Sequence, residues 1–223
     1  MRFKDRAEAA TQLADRLTAY RGRHPLVLGV ARAAVPMARI IAEALAGDLD
    51  VLLVRKLCAP GHPEFVIGAV DDTGAVVRGR YFHLAPAHYM RGEVRSQLEI
   101  LRKRRALYTQ ARPAVDPAGR IVIIVDDGIA TGSSMMVAIR SVRGRQPAKI
   151  VVAVGAAPTE ALAIIRAQAD DVLCLQSPLD FHSVGDCFAD FSEVTDEMVV
   201  DALARPVALS GGDSSPLQRE NPP

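Results

Sequence analysis

The sequence is poor in the features that would tie it to a membrane, a disulfide scaffold or a polyanion. No run of about eighteen apolar residues passes without a charge, so nothing reads as a membrane-spanning helix. The N-terminal stretch MRFKDRAEAATQLADRL is charged and amphipathic and lacks the apolar core of a signal peptide. Cysteine is scarce. Cys58, Cys174 and Cys187 form no CxxC pair, and an odd set cannot all pair with one another, so reduced thiols in a cytoplasmic protein are expected. A net charge of +1 provides no global field to hold a nucleic acid. The Walker A lysine and the GxGxxG pattern are absent, and there is no internal repeat. What remains, with 49% hydrophobic and 24% charged residues over 223 positions, is the balance of a globular chain with its own core.

Short apolar runs recur at 25–30, 50–54, 120–125, 149–154 and 171–175. They are apolar at nearly every position rather than at alternate ones, which is the pattern of parallel strands buried on both faces. Between them VPMARIIAEAL, SSMMVAIRSVRG and TEALAIIRAQ place apolar residues three and four apart, as crossover helices do. The fold class predicted is α/β, with a doubly wound, mostly parallel sheet flanked by helices.

One segment breaks the alternation. EFVIGAVDDTGAVVRG at 64–79 reads as two antiparallel strands joined at Asp71-Asp72-Thr73-Gly74, and a hairpin tip is a sufficient account of that aspartate pair. The stretch from 88 to 107 reads as a basic helix with a solvated face. Residues 1–204 are expected to form one domain. Residues 205–223, rich in Pro, Gly and Ser, are expected to be a disordered tail.

A second aspartate pair, in VIIVDDGIATGSS at 122–134, stands in a different setting. Asp126 and Asp127 follow an all-apolar strand, and in an open parallel sheet the ligand crevice lies beyond the carboxyl ends of the strands. Two adjacent carboxylates there repel each other and lose hydration, a cost that a diol or a cation would offset. Behind them Gly128, Ile129, Ala130, Thr131, Gly132, Ser133 and Ser134 lead into a helix, whose free N–H groups and hydroxyls suit a phosphate. The structural alternative is a helix cap at Ser133 beside water-facing aspartates. A ribose 5-phosphate carries both the diol and the phosphate.

This stretch resembles the 5-phosphoribosyl 1-pyrophosphate (PRPP) signature of type I phosphoribosyltransferases, over roughly residues 1–200. The resemblance implies that Asp126 and Asp127 hold the ribose hydroxyls, that 128–134 hold the 5-phosphate, and that a small hood completes the fold. After the first strand, Arg32, Ala33 and Ala34 stand in the place of the pyrophosphate loop, where near relatives read Arg-Gly-Gly. That loop often contains a non-proline cis peptide, and a Cβ at both Ala33 and Ala34 is expected to hinder it. Arg55 and Lys56 are similar to the Arg-Lys pair with which orotate phosphoribosyltransferases contact pyrophosphate, so they are the implied catalytic pair. CAPGHPE at 58–64 would be a mobile loop able to close over the site, with His62 an ordinary loop-tip residue.

DFHSVGDCFADF at 180–191 distantly resembles the hood of hypoxanthine-guanine enzymes, with Phe181 as the base-stacking ring and Asp190 beside the base. Two departures weaken an oxopurine substrate: VGAAPT lacks the lysine that meets the purine oxygen, and Ala130 stands where those enzymes carry an aspartate. The implied reaction is transfer of phosphoribose from PRPP to a nitrogenous base with release of pyrophosphate. Mg²⁺ would be held mainly by the substrate and in part by Asp126 and Asp127. A homodimer is common among such enzymes. The alternative from another class is a regulatory module that keeps the PRPP or nucleotide site without turnover.

Overall fold

The structure is a computed structural model that describes residues 2–79 and 81–204, the side chains of residues 63 and 64 excepted. The expected tail at 205–223 lies outside the described residues. A five-stranded parallel sheet is built from β1 (Leu26–Val30), β2 (Asp48–Leu52), β6 (Ile121–Gly128), β7 (Lys149–Ala156) and β8 (Asp171–Gln176), in the order β2-β1-β6-β7-β8.

The apolar runs explain the layering, because successive side chains of each strand enter opposite cores. Val27, Ile123, Val125 and Val151 face α1 (Arg6–Arg16) and α2 (Val35–Leu45), meeting Leu13, Met37 and Ile41. Leu26, Leu28, Val122, Ile124 and Val152 face α4 (Ser133–Arg143) and α5 (Thr159–Arg166), meeting Ile139, Leu162 and Ile165. Both faces are covered, so a strand with no polar side is the stable choice. α1 starts where the Asp5 carboxylate accepts a hydrogen bond from Glu8 N at 2.9 Å.

β1 and β6 lie side by side at the centre, and the chain winds outward from them in opposite directions. Their carboxyl ends therefore flank the topological switch point, where open α/β sheets bind ligands. The register pairs Gly29 with Val125 and puts the loop after β1 beside Asp126.

Three expectations on strands need correction. β6 continues through Asp126, Asp127 and Gly128, still paired with β7 at Gly128 and Ala156, so the pair belongs to the last turn of the strand rather than to the loop. The run at 50–54 is two elements, because Val54 already opens a second sheet. That sheet is three-stranded and antiparallel: β3 (Val54–Ala59), β4 (His62–Asp71) and β5 (Val76–Arg78). Residues 58–64 are therefore mainly strand ends around a tight turn at Gly61, whose φ of +73° suits glycine, and not an open loop.

The second aspartate pair does more than turn a hairpin. Asp71 is buried and accepts hydrogen bonds from Thr73 N, Ala75 N and Ser141 Oγ, which tie the tip to α4. Asp72 pairs with Arg105 on the long helix α3 (Ala87–Ala111). Arg105 also donates to Asp50 at 3.0 Å and to the Val51 carbonyl at 2.9 Å, so this edge of the basic helix is bonded inward, not solvated. One side chain thus fastens α3 and the small sheet to β2. A last helix, α6 (Asp196–Ala204), packs on α2 and α3 and has no counterpart among the sequence expectations.

Candidate active site

The loop after β6 is shaped for an anion. Gly132 takes a left-handed φ of +81° as the N-terminal cap of α4, and no side chain caps the helix, so Ser133 is a first-turn residue and not the cap. Among the described residues the N–H groups of Ala130, Thr131 and Gly132 have no hydrogen-bond partner, and the hydroxyls of Thr131 and Ser133 lie 3.1 Å apart. A cavity of about 190 Å³ is bounded by residues 128–135, Asp126, Lys56 and Val184. Unsatisfied donors around a helix start, open to a cavity, form an anion site. Gly128 has to lack a side chain here, since a Cβ would sit 2.5 Å from Val184 Cγ1 and 2.9 Å from the Ala156 carbonyl.

Asp126 is partly buried, and its Oδ1 accepts the Asp127 N–H at 3.0 Å. Burial, followed by the adjacent charge of Asp127, pushes the Asp126 carboxyl well above the usual carboxylate range. Asp127 is 7% exposed, and its Oδ2 accepts from Arg6 Nε at 2.8 Å. Arg6 comes from the first turn of α1 and gave no signal in the sequence beyond the amphipathic pattern of that helix. Its guanidinium also donates to the Ser192 carbonyl at 2.7 Å and lies 3.9 Å from the centre of the Phe191 ring.

The loop after β1 holds a cis peptide between Ala31 and Arg32, with Ala33 and Ala34 in place. Ala34 fits into the core with no exposure. Gly29 makes room just upstream, because a Cβ there would stand 2.7 Å from Val35 Cα. The N–H groups of Arg32 and Ala33 have no partner among the described residues, whereas Ala31, Ala34 and Val35 donate to backbone carbonyls. The Arg32 side chain is paired with Glu193.

Beside this loop a cleft of about 590 Å³ opens between the small sheet and α3. It is lined by Ala31, Arg55, Lys56, His62 and Arg104 among others. Arg55 donates to Gln97 of α3, and Lys56 is exposed and borders both the cleft and the smaller cavity. Arg104 was not singled out in the sequence, where it is one of several cations in a basic helix. Only docking of α3 on the small sheet turns it into the cleft. Neither Phe181 nor Asp190 lines the cleft or the smaller cavity. Phe181 is half-buried against the main core, and the exposed Asp190 accepts from Ser192 N and Oγ. The aromatic ring against Arg6, the partner of Asp127, is Phe191.

An anion cavity, an acidic pair and a loop with free amides thus meet at one switch point. Residues 2–191 match the phosphoribosyl transferase domain. The chain belongs to that family. Two curated relatives, from two strains of Mycobacterium tuberculosis and named provisionally as phosphoribosyl transferases, are 38% identical over 209 residues, 91% of this chain. The chain spans about half the length of those relatives, 46%. A crystal structure of a Thermus thermophilus protein is 43% identical, with a TM-score of 0.84 over 92% of this chain and 98% of that one. In this phosphoribosyl transferase domain no disulfide joins the three cysteines, and no described helix is long and apolar enough to cross a membrane.

Among the described residues no three His, Cys, Asp or Glu side chains cluster as a metal cage. A buried carboxylate crowded by a second one does fit a Mg²⁺ ion that takes most of its oxygens from water and substrate phosphates. Asp126 and Asp127 are the residues that would share in holding it.

Proposed function

We propose that the chain transfers the 5-phosphoribosyl group of PRPP to a nitrogenous base and releases pyrophosphate. The observation that carries this reading is that the cavity at 128–135, which Asp126 also lines, and the cationic cleft at Arg55, Lys56 and Arg104 share Lys56.

The 5-phosphate is held by the amides of 130–132 and the hydroxyls of Thr131 and Ser133, with the helix start adding its partial positive charge. Asp126 and Asp127 accept hydrogen bonds from the ribose hydroxyls and fix the sugar with C1 turned toward the cleft. As the bond from C1 to pyrophosphate lengthens, negative charge grows on the leaving group. Arg55, Lys56, Arg104 and the free amides of Arg32 and Ala33 are placed to meet it. Mg²⁺, when bound with PRPP, neutralises further phosphate charge. Holding sugar and base in line supplies the rest of the rate gain. Ala130 offers no carboxylate to take a proton, so a base that attacks as an anion, or sheds its proton readily, suits this site.

The test is calorimetric titration of PRPP with Mg²⁺ into the wild-type chain and into the Asp126→Asn/Asp127→Asn double variant, followed by a pyrophosphate-release assay over a panel of nucleobases. Saturable binding lost in the variant, with release triggered by one base, establishes the transferase and names its substrate. Binding without release across the panel assigns the chain to the regulatory binding modules. Absence of binding overturns the reading of residues 126–134.

A further inference from the structure

Arg6 is bound on three sides, and the three partners belong to two different parts of the site. Its Nε meets Asp127 at 2.8 Å at the end of β6, its Nη1 meets the Ser192 carbonyl at 2.7 Å, and its carbon Cζ lies 3.9 Å from the centre of the Phe191 ring. The guanidinium side chain is 13% exposed and the Asp127 side chain 10%. The segment that carries Phe191 and Ser192 is otherwise anchored through Phe188. That ring is 5.2 Å from both Phe3 and Phe191, and the chain there bonds to residues 3 and 4 through Ala189 N and Asp190 N. The start of α1 therefore supports residues 188–192, at the end of the stretch expected to form the hood, and among the described residues of that support Arg6 is the one that also bonds the acidic pair.

From this geometry, and resting on the PRPP reading above, we infer that Arg6 is a positioning residue: it holds Asp127 for the ribose hydroxyls and carries the state of the ribose site to the hood at 188–192. Each contact has a separate physical role. The charge-assisted bond fixes the Asp127 carboxylate through its Oδ2. The flat guanidinium covers one face of Phe191, which a lysine ammonium cannot reproduce in the same way. The bond to the Ser192 carbonyl fixes the backbone next to that ring. A shift of Asp127 on binding PRPP is thereby felt at Phe191 without any direct contact between ligand and ring.

The two roles separate in Arg6→Gln and Arg6→Lys. Both variants are titrated with PRPP and Mg²⁺, and hydrogen exchange of the 188–192 amides is compared in the free and saturated proteins. In the wild type PRPP should slow exchange at 188–192. Arg6→Gln should bind PRPP on the order of tenfold more weakly, a loss in the range of one charged hydrogen bond. At saturation it should show no slowing in the hood. Arg6→Lys keeps the charge and should recover most of the affinity while still failing to protect 188–192. A residue that merely stabilises the fold would lower the melting temperature and leave ligand-induced protection unchanged once the site is filled. If wild type binds PRPP but either shows no protection at 188–192 or shows protection that Arg6→Gln retains in full, the assignment of Arg6 is overturned and the PRPP reading stands. If wild type binds no PRPP, both fall.

Discussion

Replacing Arg105 by alanine tests whether the long basic helix is anchored or merely solvated. In the folded chain Arg105 bonds Asp72, Asp50 and the Val51 carbonyl, and its side chain is only 18% exposed, against 5% and 10% for the two aspartates. Removing one partner of a buried ion pair costs about 3–5 kcal/mol, because a charge is left without compensation. Asp50 keeps bonds from Val51 N at 2.7 Å and Val115 N at 2.9 Å, which soften the loss. Asp72 has no other partner among the described residues, but the bonds Asp50 keeps put the loss in the lower part of that range, about 3 kcal/mol. That is a large share of a typical total stability of about 5–15 kcal/mol. Urea denaturation followed by circular dichroism at pH 7 measures it as a lower midpoint at unchanged slope. Adding Asp72→Asn should restore at least about 1 kcal/mol, since the stranded charge is then gone. A loss below about 1 kcal/mol for Arg105→Ala would show that solvent screens the network as it does a surface pair, and the anchoring argument would fail.

Asp126→Asn should raise the melting temperature at pH 7 while abolishing PRPP binding. A carboxyl raised by burial and by Asp127 is penalised for ionising in the fold, so it lowers stability as pH climbs from the ordinary carboxylate range through its raised folded value. The gain over wild type should vanish near pH 3; a gain that persists there would point to packing instead. Gly29→Ala forces a Cβ to 2.7 Å from Val35 Cα and should cost about 1–3 kcal/mol by urea melts, with the loop at 31–34 displaced. An unchanged midpoint would mean that α2 can move aside. Lys56→Ala should lower kcat for pyrophosphate release by about 10²-fold or more while ribose 5-phosphate affinity falls far less, because the leaving group gains charge only in the transition state. Equal losses in both would place Lys56 in uniform binding.

The parallel sheet and the glycine- and hydroxyl-rich turn after the acidic pair were legible because both are written in local order. An all-apolar strand cannot tolerate a wet face, and glycines with hydroxyls after an acidic pair describe a cradle that contiguous backbone can build alone. The strand ends were less legible. Whether Asp126 and Asp127 still pair with β7, or where β2 stops and β3 begins, depends on neighbours far away in sequence. The two aspartate pairs look alike in the sequence, yet Asp72 ends on Arg105 and Asp127 on Arg6.

What the sequence determined by itself is the α/β alternation, the placing of 126–134 at a strand end, and the family to which those residues belong. Each follows from periodicity and turn chemistry within a few residues. Tertiary structure alone decided the companions of that loop: Arg6 from α1 bonds Asp127 and stacks on Phe191, and Arg104 from α3 lines the cleft. The physical reason is that an arginine is recruited by the charge and the ring it meets across the fold. In a chain with many arginines nothing in the local pattern marks which of them will be met.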